Sequence, residues 1–181
     1  MKSGIIILSE LHGPVRDRVL EIQRRYDPKL AAMLAPHVTI TGSSGIGPIA
    51  MSTTEDELRV ALEPIARDTP PMHLSLGRPM RFMQTSIIVL PLDPHGPLRE
   101  LHERIMRSGL RYERPRFTFT PHVTLNFFRQ LTRDETQALL AERVDEPVVI
   151  DCIEAHRTTD TLSTSKVVQL TLGTGARSSP A

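Results

Sequence analysis

Pro36-His37-Val38-Thr39-Ile40 and Pro121-His122-Val123-Thr124-Leu125 are two copies of one pattern in a chain of 181 residues. Each copy reads as a strand. Successive side chains of a strand point to opposite faces, so residues i and i+2 share a face. His37 and Thr39 then point one way, and Val38 and Ile40 the other. The same holds for His122 and Thr124 against Val123 and Leu125. Such a strand buries its aliphatic face in a core and presents an imidazole and a hydroxyl to a groove.

Working outward, each copy sits in the same order of elements. In the first half the apolar run Ile5–Leu8 reads as a buried strand, and Gly13-Pro14 opens a helix with Val15, Val19, Ile22 and Tyr26 on one face. A short turn over Leu30–Leu34 precedes the strand His37–Thr41. A loop rich in Gly and Ser, Gly42–Ser52, is read either as a lid at the groove or as an ordinary surface loop. Thr54 and Glu57 form a capping-box pattern for a helix whose apolar face is Leu58, Leu62 and Ile65, and Met72–Leu76 reads as a strand. In the second half Ile87–Leu90 is a short strand, and Pro97 opens a helix with Leu98, Leu101 and Ile105 on its face, stopped near Gly109. Phe117–Thr120 is extended, and the second histidine strand runs from His122 to about Phe127. Thr132 and Glu135 repeat the capping-box spacing. Val148–Ile153 and Lys166–Leu172 read as strands.

Strand, helix, His-x-Thr strand, capped helix and strand thus occur twice, over about residues 4–83 and 84–172. Thr85–Leu90 also echoes Thr164–Gln169. We read an internal duplication within one domain of residues 1–172, its halves packed about a pseudo-twofold axis by analogy with symmetric subunits. That packing brings the two histidines to opposite sides of one cleft. Residues 173–181 are small and polar and are expected to be disordered.

The bulk composition limits the partners. A net charge of +1 gives no large basic field, which argues against a long nucleic-acid track and leaves room for a nucleotide or an RNA end. The single cysteine, Cys152, lies in an apolar setting and is expected to be an ordinary buried thiol. No apolar run reaches the length of a membrane span, and the run Ile5–Leu8 is too short for a signal peptide. The expectation is a cytoplasmic protein, with a monomer favoured.

Two histidines across a cleft can divide acid and base work. Histidine titrates nearest neutrality; one neutral ring takes a proton from water while one charged ring gives a proton to the leaving oxygen. Threonine hydroxyls are suitable donors to non-bridging phosphate oxygens. The set fits in-line attack on a phosphodiester without metal, and a cyclic phosphodiester above all, because the leaving oxygen stays tethered.

On these duplicated motifs, their spacing and the strand–helix order, the chain resembles the two-histidine (2H) phosphoesterase superfamily. Within it, the likeness is to bacterial proteins named as 2′-5′ RNA ligases or RNA 2′,3′-cyclic phosphodiesterases. The resemblance runs from Ile5 to about Leu172. It implies a bilobal α+β fold, with antiparallel sheets lining a central groove and helices outside. It implies that His37 and His122 are the acid–base pair and that Thr39 and Thr124 bind phosphate. It implies hydrolysis of a 2′,3′-cyclic phosphate on an RNA end or small nucleotide, with 2′-5′ ligation as the reverse reaction and no cofactor. The alternatives are a nucleotide-binding sensor without turnover, and a phosphodiesterase acting on another nucleotide such as 2′-5′ oligoadenylate.

Other readings are weaker. A catalytic zinc generally needs three protein ligands, and no Cys, His or acidic cluster near either motif has ligand spacing. Gly42-Ser43-Ser44-Gly45 does not match a serine-hydrolase elbow. His12, His73, His95, His102 and His156 lack the threonine partner and are expected to be surface or structural residues. Arg78, Arg81, Arg129 and Arg157 can approach the groove from strand ends, although a solvated arginine is the usual case. Phe82, Phe127 and Phe128 can stack on a base, but core packing is the expectation for Phe127.

Overall fold

The structure, a computed structural model, describes residues 3–159 and 164–174. Most of the expected disordered tail lies outside the described residues. The fold is a mixture of helices and open antiparallel sheets. The first histidine strand, β2 (His37–Thr41), is the edge of a four-stranded sheet whose other strands are β1 (Gly4–Glu10), β8 (Cys152–Thr158) and β9 (Thr164–Thr171), in the order β2-β1-β8-β9. The second, β6 (His122–Asn126), is the edge of a three-stranded sheet with β4 (Met80–Arg81) and β5 (Ile88–Pro91), in the order β4-β5-β6. Two free edges thus carry the two motifs. A two-stranded sheet joins β3 (Met72–Leu74) to β7 (Val148–Ile150).

The predicted alternation is present. Val38, Ile40, Val123 and Leu125 are at most 1% exposed, whereas His37, Thr39, His122 and Thr124 are half-buried. Both motif strands meet their partners in the same register. Glu10 faces His37 and Leu8 faces Thr39; Pro91 faces His122 and Val89 faces Thr124. In both pairs the ladder shifts at the next step, between Ile7 and Leu8 and between Ile88 and Val89. An extra residue at such a bulge bends the strand and increases its twist. Here β5 takes the place beside β6 that β1 takes beside β2, so the echo between Thr85–Leu90 and Thr164–Gln169 does not mark equivalent strands.

The sequence halves do not separate into independent lobes. Strands β8 and β9, from the second half, complete the sheet begun by β1 and β2, and β7 pairs with β3. One hydrophobic cluster holds Ile5, Val38, Leu90 and Val123 together. Each fully buried aliphatic side chain of this kind contributes about 1.5–3 kcal/mol. The segment expected as one strand, Val148–Ile153, breaks at Asp151 into two strands of different sheets, and β8 continues to Thr158.

Helices α1 (Gly13–Tyr26), α2 (Pro28–Met33), α3 (Glu55–Arg67), α4 (Pro97–Met106) and α5 (Arg133–Ala141) cover the sheets. α1 and α4 begin with proline in the first turn, and α3 and α5 with complete capping boxes, Thr54/Glu57 and Thr132/Glu135. These boxes satisfy amides that the first helical turn leaves unpaired. Residues Val15, Val19, Ile22 and Tyr26 bury the inner stripe of α1, and Leu98, Leu101 and Ile105 that of α4.

The first helix of each half also braces the histidine strand of the other. Gln23 on α1 donates from Nε2 to the Thr124 carbonyl at 2.8 Å, and His102 on α4 donates from Nδ1 to the Ile40 carbonyl at 2.7 Å. Both side chains are buried. Asp27, 1% exposed, adds a third brace. Its Oδ1 accepts from Leu30 N at 3.1 Å and caps α2, which leads into His37. Its Oδ2 accepts from Phe127 N and Phe128 N at 2.8 and 2.7 Å, just past the end of β6.

Candidate active site

The four motif residues line one cavity of about 170 Å³ between β2 and β6. His37 is fixed by its own strand entry: Nδ1 donates to the Ala35 carbonyl at 2.8 Å. His122 repeats the bond two residues upstream, from Nδ1 to the Thr120 carbonyl at 2.7 Å. A carbonyl can only accept, so Nδ1 carries the proton in both rings and Nε2 is the nitrogen left for chemistry. The proline before each histidine keeps the preceding residue extended.

Burial pushes the His37 imidazole below its ordinary 6.5, and repulsion between its charged form and the neighbouring His122 and His156 rings acts in the same direction; the Ala35 carbonyl and Glu10 pull it back in part. Burial likewise lowers His122, against the opposing Thr120 carbonyl. Both rings therefore favour the neutral form, with a free Nε2 lone pair. An anion entering between them reverses this bias for whichever ring it touches, because a nearby negative charge stabilises imidazolium.

The loop after β2 is pinned and does not form a free lid. Ser43 O accepts from Arg116 N at 2.9 Å, and Gly45 N donates to Phe117 O at 2.9 Å. Ile49 is fully buried and pairs with Ile5. Gly45 has φ +75 and packs onto the His102 ring so closely that a Cβ would overlap it. The side of the loop toward the cleft, Ser43 and Ser44, lines the cavity.

The other candidates divide. Arg129 is engaged, donating to Glu135 Oε1 at 2.6 Å and to Tyr26 O at 3.3 Å. Arg157 donates to Thr53 O at 3.2 Å. Arg78 is exposed and lines none of the cavities described here, whereas Arg81 borders a trough beyond the cleft. Phe82 stands edge-on to His122 with ring centroids 5.0 Å apart, and Phe128 lines the histidine cavity. Phe127 departs from the core expectation: it is 40% exposed and forms part of the groove wall, because Asp27 turns its backbone outward at the end of β6.

Two groups near the site were missed by sequence reasoning. Phe117, 67% exposed, and Arg116 border the cleft on the His122 side; they belong to an irregular segment without periodicity. The second is a buried ionic cluster on β8 and β9. Glu154 pairs with His156 Nε2 at 2.7 Å and Lys166 Nζ at 2.8 Å. Burial alone would raise the Glu154 carboxyl, but hydrogen bonds from Lys166 and His156 hold it below the ordinary carboxylate range. Among the described residues, Glu10, Glu154 and His156 are the side chains whose donor atoms converge closely enough for one metal ion, and neither motif histidine belongs to that group. His12, His73 and His95 are exposed, and His102 is a buried brace.

The family model described as the 2′-5′ RNA ligase superfamily matches residues 11–160. A Geobacillus kaustophilus protein named "Putative phosphoesterase" is 32% identical over 126 residues, covering 69% of this chain and 68% of that protein. A similarly named protein of Bacillus licheniformis is 27% identical over 144 residues, covering 77% and 78%. The fold is similar to TT0787 of Thermus thermophilus, with TM-score 0.66, 15% identity and coverage of 93% and 97%. It is also similar to E. coli LigT complexed with 3′-AMP, with TM-score 0.57, 13% identity and coverage of 94% and 97%.

Proposed function

The chain belongs to the 2′-5′ RNA ligase superfamily of two-histidine phosphoesterases, and from that premise we propose that it is a metal-independent cyclic phosphodiesterase. It opens a 2′,3′-cyclic phosphate on an RNA end or small nucleotide to a phosphomonoester. The observation that carries this reading is the matched pair of rings. His37 and His122 line one cavity, each with Nδ1 tied to the carbonyl two residues upstream and Nε2 without a hydrogen-bond partner among the described residues.

The chemistry balances with these groups alone. Nε2 of the neutral histidine takes a proton from water as the water oxygen bonds to phosphorus. Nε2–H of the protonated histidine gives its proton to the ribose oxygen as the P–O bond breaks. Thr39 and Thr124 donate to the non-bridging oxygens. The product holds the new oxygen on phosphorus and a free ribose hydroxyl, and the two histidines have exchanged protonation states. With a 5′-hydroxyl in place of water as the nucleophile, the same groups join it to phosphorus as the 3′ oxygen leaves, forming a 2′-5′ linkage; run backward, they cleave that linkage to the cyclic phosphate. A cyclic diester bears one negative charge, which one imidazolium neutralises. The nucleotide and phosphate complexes of E. coli LigT support a nucleotide-sized ligand in this fold.

Phosphorus NMR on a panel of nucleoside 2′,3′-cyclic phosphates, with excess chelator present, tests the reading. Conversion to a phosphomonoester is expected. Binding without conversion across the panel supports a sensor instead, and activity lost to chelator and restored by zinc overturns the metal-free mechanism.

A further inference from the structure

The cleft does not end at the two histidines. From His122 and Thr124 it opens into a cavity of about 530 Å³ bordered by Phe82, Met83, Arg116 and Phe117. Past Thr85, Ile87 and Phe127 this continues into a trough of about 610 Å³, walled by Arg81, Gln84, Gln130 and Thr136. The outer trough shares only Phe127 with the lining of the seat between the histidines, so a cyclic phosphate seated there with its own ribose and base does not need the trough.

Three properties of the walls say what fits there. Met83, Phe117 and Phe127 are 88%, 67% and 40% exposed and all border the groove. Large apolar side chains left in solvent beside a cleft mark a binding surface, and exposed rings suit unpaired bases. Arg81 and Arg116 make no ion pair among the described residues, so their charge is available to a phosphodiester. Gln84 and Gln130 offer amide donors and acceptors of the kind that read base edges. Gln84 also holds a left-handed backbone, φ +61, at the tip of the turn that Phe82 N closes on Ile87 O at 3.0 Å. A strained non-glycine residue on a binding rim is a common functional sign.

We propose that this trough is a second nucleotide subsite, and that the preferred substrate is an RNA 3′ end of at least two nucleotides carrying the cyclic phosphate. The inference rests on the cyclic phosphodiesterase reading. The terminal base occupies the cavity beside Phe82 and Phe117. The preceding nucleotide passes Phe127 into the trough, its phosphodiester within reach of Arg81. The near-neutral net charge is consistent with a short segment held by stacking and two arginines, without a long basic track.

The test compares kcat/KM on a nucleoside 2′,3′-cyclic phosphate and on a dinucleotide ending in the same cyclic phosphate. The dinucleotide is expected to be better by about tenfold or more, the order contributed by one stacked base. Arg81→Ala and Gln130→Ala should remove most of that advantage while leaving the mononucleotide rate unchanged. Equal kcat/KM for the two substrates, or an equal loss on both in each variant, overturns the second subsite while the phosphodiesterase reading stands. Failure of the unaltered protein to convert either compound overturns that reading, and the subsite with it.

Discussion

His102 Nδ1 donates to the carbonyl of Ile40 at 2.7 Å, so a residue on the second half's first helix holds the strand that carries His37. The same ring stacks on Phe119 with centroids 4.0 Å apart and lies against Gly45. One buried imidazole therefore fixes the first histidine strand, the groove loop and the segment leading to His122. Replacing His102 with Ala removes a buried ring and leaves a carbonyl unpaired. The expected loss is about 2–4 kcal/mol of stability, measured by denaturant unfolding. Asn, which keeps a donor, should recover part of it.

Stability should fall as pH drops below about 6.5. Burial lowers His37, His102 and His122 from their ordinary 6.5. The unfolded chain then binds more protons than the folded one below that value, and stability rises with pH wherever this holds. The loss begins near 6.5 and is complete below the folded-state values. Thermal melts between about pH 7 and about pH 5 check the sign. In His102→Asn one of the three contributors is gone, and the decline should be shallower.

Asp27 joins the two histidine strands through three backbone amides, those of Leu30, Phe127 and Phe128. Asp27→Ala leaves all three without this acceptor in a buried site, at a cost of about 2–4 kcal/mol. Where the variant still folds, kcat should fall more than substrate affinity, because the distance between His37 and His122 is no longer fixed. Chemical denaturation and steady-state kinetics on one cyclic nucleotide separate the two effects.

The pH dependence of kcat/KM reports the free enzyme's acid and base. Both rings are pushed below 6.5 by burial, so the bell-shaped profile should have its maximum on the acid side of 6.5. The profile of kcat should lie higher, because the bound phosphate anion raises the ring it touches. A maximum of kcat/KM above neutrality contradicts the assignment.

The motif strands, their facing, both capping boxes and the apolar stripes of α1, α3 and α4 follow from local periodicity and were legible in the sequence. The His–Thr set was legible because the pattern occurs twice. What escaped depends on long-range pairing. β8 runs on through Glu154, His156 and Arg157, a polar stretch that looks unlike a buried strand until Lys166 and the Glu154–His156 pair are seen to satisfy one another. The second half's last two strands complete the first half's sheet, which no internal repeat announces. Phe127 reads as core by type and is turned outward by Asp27, a residue 100 positions away in sequence.

The central claim is that two histidines act as one acid–base unit, and turnover of a 2′,3′-cyclic nucleotide by His37→Ala, His122→Ala and the double variant tests it most directly. Each single replacement should lower kcat by about 10²–10⁴ with a smaller change in KM. The double variant should be little worse than either single one, since groups that act as a unit are not additive. Turnover left intact in either single variant contradicts the account.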